Sequence, residues 1–98
     1  MAHRVAANAE ADLDQIWDYI ANESGNPEVA RSHIQTITER FFLLSRHPHL
    51  GRPREEIRAG LRSFPVGEYV IIYRVRDGDV LILRVVHGRR DMEEMFGV

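Results

Sequence analysis

The sequence contains no cysteine and no lysine. The first absence excludes disulfides, thiolate nucleophiles and cysteine-held metals. The second makes all 13 basic residues arginine. Arginine is the side chain of bidentate and stacked contacts, although a GC-rich genome imposes the same bias without functional meaning. No apolar run approaches the ~20 residues of a membrane span. The opening Met-Ala-His-Arg-Val has no apolar signal core, so the cytoplasm is the expected compartment. Repeats, low-complexity tracts and linkers are missing too. The 98 residues are expected to form one domain, 1–98, around one core.

Catalytic signatures are also scarce. There is no nucleophile elbow, phosphate loop, zinc pattern or paired-carboxylate motif. His33, His47 and His49 invite a metal reading, but nothing places a third or fourth ligand near them, so no metal and no cofactor is expected.

What the chain has is a dense run of strand-forming residues from 61 to 87. Residues 69–75 and 80–86 are rich in β-branched and aromatic side chains. Arg76-Asp77-Gly78-Asp79 between them is a hairpin signal. Phe64-Pro65-Val66-Gly67 punctuates the entry from a shorter strand over 60–64. A three-stranded antiparallel meander follows.

Its facing depends on the turn, because a one-residue slip flips every side chain. A two-residue turn at Asp77-Gly78 puts Arg74 beside Leu81. A three-residue loop with Gly78 left-handed pairs Val75 with Asp79. The second register is preferred, because it gathers Val70, Ile72, Arg74, Val80, Ile82, Arg84 and Val86 on one face. Tyr69, Ile71, Tyr73 and Val75 then share the other with Leu81, Leu83 and Val85. A solvated sheet face alternates to polar residues. An aliphatic face carrying Arg74 and Arg84 therefore points to a partner, unless other parts of the chain cover it.

Upstream the period becomes helical. Ala9, Leu13, Ile16, Trp17 and Ile20 form one stripe, with Asn8 as its cap and Gly25 as its stop. Trp17 is expected in the core. Glu10, Asp12 and Asp14 sit where the helix dipole favours anions. Asn26-Pro27-Glu28 opens a second helix whose stripe is Ala30, Ile34, Ile37, Phe41 and Leu44, widened by Val29, His33 and Phe42; Pro48 ends it. The helices form an αα-hairpin whose apolar stripes need the sheet. Residues 4–7 suit an extra strand at the sheet edge, and 47–57 an ordered loop. Asp91 with Glu94 fits a capping box that starts a short C-terminal helix.

Charge is segregated. Residues 1–30 hold six acids and one arginine, a balance of −5; the rest hold nine acids and twelve arginines, a balance of +3. The first helix is acidic and the sheet region basic, which steers charged partners. The most chemistry-like cluster is His87 with Arg89 and Arg90 at the exit of the last strand. Together with Arg84 and Arg62 it could hold a phosphodiester and move a proton. A solvated strand end paired with Asp91, Glu93 or Glu94 accounts for the same residues.

The order strand, acidic helix, second helix, proline loop, meander, then His87-Gly-Arg-Arg-Asp91 resembles the ParE branch of the RelE/ParE toxin superfamily, whose members include plasmid stabilisation proteins. The resembling residues include 11–20, Pro48-His-Leu-Gly51, 57–62, 69–75 and 82–91, nearly the whole chain. The resemblance implies an α+β fold: an N-terminal strand, an αα-hairpin on a mainly antiparallel sheet, and a short C-terminal helix. It implies a type II toxin that poisons DNA gyrase and is neutralised by a ParD-like antitoxin, with DNA contacted only indirectly through that antitoxin and no membrane involved. An amphipathic acidic antitoxin segment would use Val70, Ile72, Arg74, Ile82 and Arg84. His87, Arg89, Arg90, Met92, Met95 and Phe96 would meet the target, with no catalytic residue.

The RelE branch, which cuts mRNA in the ribosome, is the alternative. This chain has Val70 where those relatives carry an arginine after the strand tyrosine, Phe96 near their terminal tyrosine, and no lysine for the phosphate clamp. His87 keeps the alternative open. A further reading is an inactive homologue that acts only as a binding or regulatory module.

Overall fold

The two helices follow from apolar residues at helical spacing, and the computed structural model describes them within residues 2–88. Strand β1 (His3–Val5) leads into α1 (Ala7–Ser24) and α2 (Pro27–Arg46). Strands β2 (Arg52–Pro53), β3 (Arg62–Val66), β4 (Tyr69–Arg76) and β5 (Asp79–His87) follow. They form one sheet in the order β1-β5-β4-β3-β2. β1 runs parallel to β5 and the other neighbours pair antiparallel. This is the expected α+β arrangement. The loop expected over 47–57 contributes the edge strand β2, whose two residues are too few to leave a periodic signal. The helix expected from Asp91 lies outside the described residues.

The ends of the helices have local causes. Gly25 adopts φ 66° and donates its N–H to Ala21, closing α1. Asn26 Oδ1 accepts from the Glu28 N–H at 2.9 Å, and Pro27 opens α2. At the start of α1 the expected cap is displaced. Ala6 holds the N-cap position without a side-chain bond, and Asn8 lies in the first turn. The reason is strand pairing: the Ala6 N–H bonds to the Ile82 carbonyl at 2.9 Å, and the Ala6 carbonyl accepts from Glu10 at 3.0 Å. β1 runs into the helix with no residue between to act as a polar cap.

The helices cover one face of the sheet. The core joins Ala9 and Ile16 of α1, Ile37, Phe41 and Leu44 of α2, and Ile71, Tyr73, Val80, Ile82 and Val85 of the sheet. Trp17 is not part of it. The buried line of α1 runs Ala9, Asp12, Ile16, with Leu13 and Ile20 packed beside it. Trp17, about 100° round the helix from Ile16, falls on its border and stays half-exposed.

The preferred hairpin register does not form. Asp77 and Gly78 both have positive φ, 52° and 81°, which makes the two-residue turn that pairs Arg76 with Asp79 and Arg74 with Leu81. Further along, Tyr73 pairs with Ile82 but Ile72 pairs with Arg84, so Leu83 is an extra residue on β5. Tyr69, Ile71, Tyr73 and Val85 face the helices as expected. They are joined by Val80 and Ile82, which were expected on the opposite face.

Candidate functional site

The face of the sheet away from the helices carries the open arginines. Paired residues project to the same side, so the register lays Arg4, Leu81 and Arg74 in a row across β1, β5 and β4. Neighbouring strands lie ~4.8 Å apart, which sets the Arg4 and Arg74 backbones about 10 Å apart. Arg4 is exposed, and Arg74 and Leu81 are half-buried. Farther from the turn this face becomes apolar. Leu61, Ile72 and Val86 form a second buried cluster, with Ile57, Val70 and Leu83 packed against it.

The five residues expected to hold a partner segment are therefore divided. Val70 and Arg74 lie on this outer face. Ile72 lies beneath its surface at 2% exposure, and Ile82 is fully buried under the helices. Arg84 turns to α1: its Nε meets Asp12 Oδ2 at 2.7 Å and Nη2 meets Oδ1 at 2.9 Å. The Val85 N–H donates to the same Oδ2 at 2.9 Å. The β-bulge pairs Arg84 with Ile72, where strict alternation from Leu81 would have set it on the helical face; β1 pairs with β5 only as far as Ile82, and beyond that point the guanidinium reaches Asp12. Asp12 is a buried acid, for which the sequence suggested only a place near the start of the helix that suits an anion. The available signal was its position three residues from Ala9 and four from Ile16, on the apolar stripe itself.

A second polar network pins the loop before β2. The Tyr73 hydroxyl donates to the Pro48 carbonyl and accepts from the Gly51 N–H, both at 2.8 Å. Arg62 Nη1 donates to the Gly51 carbonyl at 2.8 Å and to the His49 carbonyl at 3.3 Å. Burial raises the Tyr73 pKa above the ordinary 10.0, against the Gly51 N–H and the Arg62 charge, which lower it. The hydroxyl is protonated at neutral pH, with its proton and an acceptor site both engaged inside the protein.

The basic exit cluster is only partly within the described residues. His87 is exposed and meets Tyr69 edge-on, with ring centroids 5.8 Å apart. Arg89, Arg90, Met92, Met95 and Phe96 lie outside the described residues. The structure does not bring Arg62 to His87. Arg62 is paired with Tyr73, and His87 with Tyr69, four residues away along β4. Among the described residues no group of three or more His, Asp or Glu stands placed to hold a metal, and no helix is long and apolar enough to cross a membrane.

Comparison with known proteins identifies the fold and the family. Residues 4–92 match the family model described as the ParE toxin of the type II toxin-antitoxin system, parDE. Toxin ParE3 of Caulobacter vibrioides is 36% identical over 86 residues, 88% of this chain and 85% of that protein. Toxin ParE1 of Mycobacterium tuberculosis is 30% identical over 86 residues, 87% of each. A chain of the chromosomal ParDE toxin–antitoxin system from P. aeruginosa superposes with a TM-score of 0.79 at 29% identity, covering 91% of this chain and 97% of that one. A chain of the toxin–antitoxin complex RelBE2 from M. tuberculosis gives 0.64 at 30% identity, covering 88% and 95%. With residues 4–92 of its 98 matched by the family model, the chain belongs to the ParE toxin family of type II toxin–antitoxin modules.

Proposed function

We propose that this toxin acts on DNA gyrase, trapping the cleaved-DNA complex, and that a ParD-like antitoxin neutralises it. The observation that supports a poison acting by binding concerns the polar groups that phosphodiester cleavage would draw on. Within the described residues three of these groups are occupied internally, while His87 stands exposed at the strand exit away from them. Tyr73 is bonded to Pro48 and Gly51, Arg62 to loop carbonyls, and Arg84 to Asp12. An oxygen or guanidinium held this way is poorly placed to exchange a proton or follow a developing charge. The setting is the cytoplasm, and contact with operator DNA passes through the antitoxin.

The antitoxin surface is the outer sheet face. An amphipathic segment folding on contact would lay apolar side chains over Val70, Leu81 and Leu83 and set carboxylates on Arg4 and Arg74. The target surface is the strand exit at His87 with Arg89, Arg90, Met92, Met95 and Phe96.

The second reading, mRNA cleavage in the ribosome, draws support from the likeness to the RelBE2 chain. One experiment separates the two. The purified chain is added to gyrase on relaxed plasmid, and supercoiling and linearised DNA are followed on gels; in parallel, transcripts are mapped in a translating extract. Blocked supercoiling with accumulated cleaved DNA is expected. Codon-specific cuts with unaffected gyrase would replace the proposal with the second reading.

A further inference from the structure

The chain has one tryptophan, and the core does not use it. Trp17 stands half-exposed on α1 beside a groove of about 380 Å³ lined by Glu10, Leu13, Asp14, Trp17 and Ile34. The base is apolar, because Leu13 and Ile34 pack down onto the core. The rim is acidic, because Glu10 and Asp14 lie one turn apart on α1. α1 itself contains five carboxylates, of which only Asp12 is buried, and no arginine or lysine. The ion pairs formed among the described residues involve neither Glu10 nor Asp14. Among the described residues no cation lines the groove.

A half-buried indole lining a groove next to two carboxylates that form no ion pair among the described residues is complementary to one kind of side chain. A guanidinium or ammonium can lie on the indole while its donors reach the acids, and the apolar base takes a neighbouring aliphatic group. We propose that this groove docks a basic, apolar-studded polypeptide segment of a partner protein, seating an arginine or lysine on Trp17 between Glu10 and Asp14. Charge separates this surface from the one assigned to the antitoxin. The row of Arg4 and Arg74 selects an acidic segment, which the carboxylates of α1 repel. The helical side and the outer sheet side thus suit different partners. The proposal holds whether the toxin's target is gyrase or the ribosome.

Because Trp17 is unique, its fluorescence reports directly on the groove. The full chain is titrated with a capped peptide alternating arginine and leucine, and with its glutamate-for-arginine counterpart. The basic peptide is expected to give a saturable change that weakens with added salt, and the acidic peptide none. Glu10→Gln with Asp14→Asn is expected to weaken binding about tenfold, as two rim charges would, with the circular dichroism unchanged. Trp17→Phe, followed through a labelled peptide, is expected to weaken it as well. Equal responses to both peptides would overturn the proposal, as would unchanged affinity in the double variant. A change that tracks protein concentration without peptide would also overturn it, in favour of self-association.

Discussion

At the scale of single residues, two buried polar contacts hold what the apolar core does not reach. Gly51 has no Cβ because there is no room for one: it would stand 2.5 Å from the Tyr73 hydroxyl and 2.9 Å from the Ser63 carbonyl. The carbonyl belongs to a paired strand and cannot swing away. Gly51→Ala is therefore expected to lower stability by about 1–3 kcal/mol, read as a shift in urea midpoint. Tyr73→Phe strands the Gly51 N–H and the Pro48 carbonyl, and a loss of ~1–3 kcal/mol is expected. The same variant tests the titration. Burial raises the hydroxyl's pKa above 10.0 in the folded chain, so the folded state keeps a proton that the unfolded state has lost. The contribution is complete below the ordinary tyrosine value and disappears as pH rises past it. With no lysine in the chain and arginines charged throughout, tyrosines are the only side chains that titrate in that window. Stability measured above pH 10 should fall more steeply in the native chain than in Tyr73→Phe. Parallel curves would show that this hydroxyl is not the source. The Asp12–Arg84 pair gives a second test. Asp12→Ala is expected to cost on the order of 2 kcal/mol, less than a fully buried pair because the Arg84 side chain is 35% exposed. A double-mutant cycle with Arg84→Met isolates the coupling.

At the scale of elements, the hairpin decides the faces of the sheet. Its turn needs two consecutive residues with positive φ, and only one of them is glycine. Asp77 tolerates this conformation better than most residues, and Gly78 takes it without strain. Gly78→Val is expected to cost more than 1 kcal/mol and to disturb the β4–β5 register, visible in hydrogen exchange as lost protection of the Arg74 and Leu81 amides, which point across the hairpin, whereas the Val80 N–H bonds to Ala2. Elements of this kind were mostly readable in advance. The helix stripes, the Gly25 stop, the Asn26-Pro27 start and the meander all come from periodicity and turn chemistry, which are local. The register was not readable, because the turn allowed two solutions and the bulge at Leu83 is chosen by packing. Trp17 left the core it was expected in, and Asp12 entered the buried line of α1, for a similar reason. Adjacent stripe positions differ by about 100°, and a carboxylate moves inward only where a distant arginine and a strand N–H await it. No local pattern in α1 encodes Arg84, 72 residues away in the sequence.

For the molecule as a whole, the consequence is a separation between the arginine that supports the fold and the arginines that face outward. The sequence pattern treated Arg74 and Arg84 as equivalent; the structure gives them different surroundings. Arg74 stands half-exposed in line with Arg4 and Leu81. Reversing its charge places a carboxylate within reach of Arg4 on an open face and should leave the folding midpoint nearly unchanged. If an acidic antitoxin segment lies there, the same reversal opposes it directly, and affinity should fall ten- to a hundredfold with most of the salt dependence lost. Arg84→Glu does the opposite. It sets a second carboxylate against Asp12, where the native contacts are 2.7 and 2.9 Å, and like charges at that distance oppose folding by several kcal/mol. The two variants, compared by urea unfolding and by calorimetric titration with the cognate antitoxin, separate the roles. Arg74→Glu is expected to be stable and poorly neutralised, and Arg84→Glu to be unstable before any partner is added. A stable Arg84→Glu that loses the antitoxin would mean that the partner displaces Asp12, and that the binding surface reaches round the bulge to the helical side of the sheet.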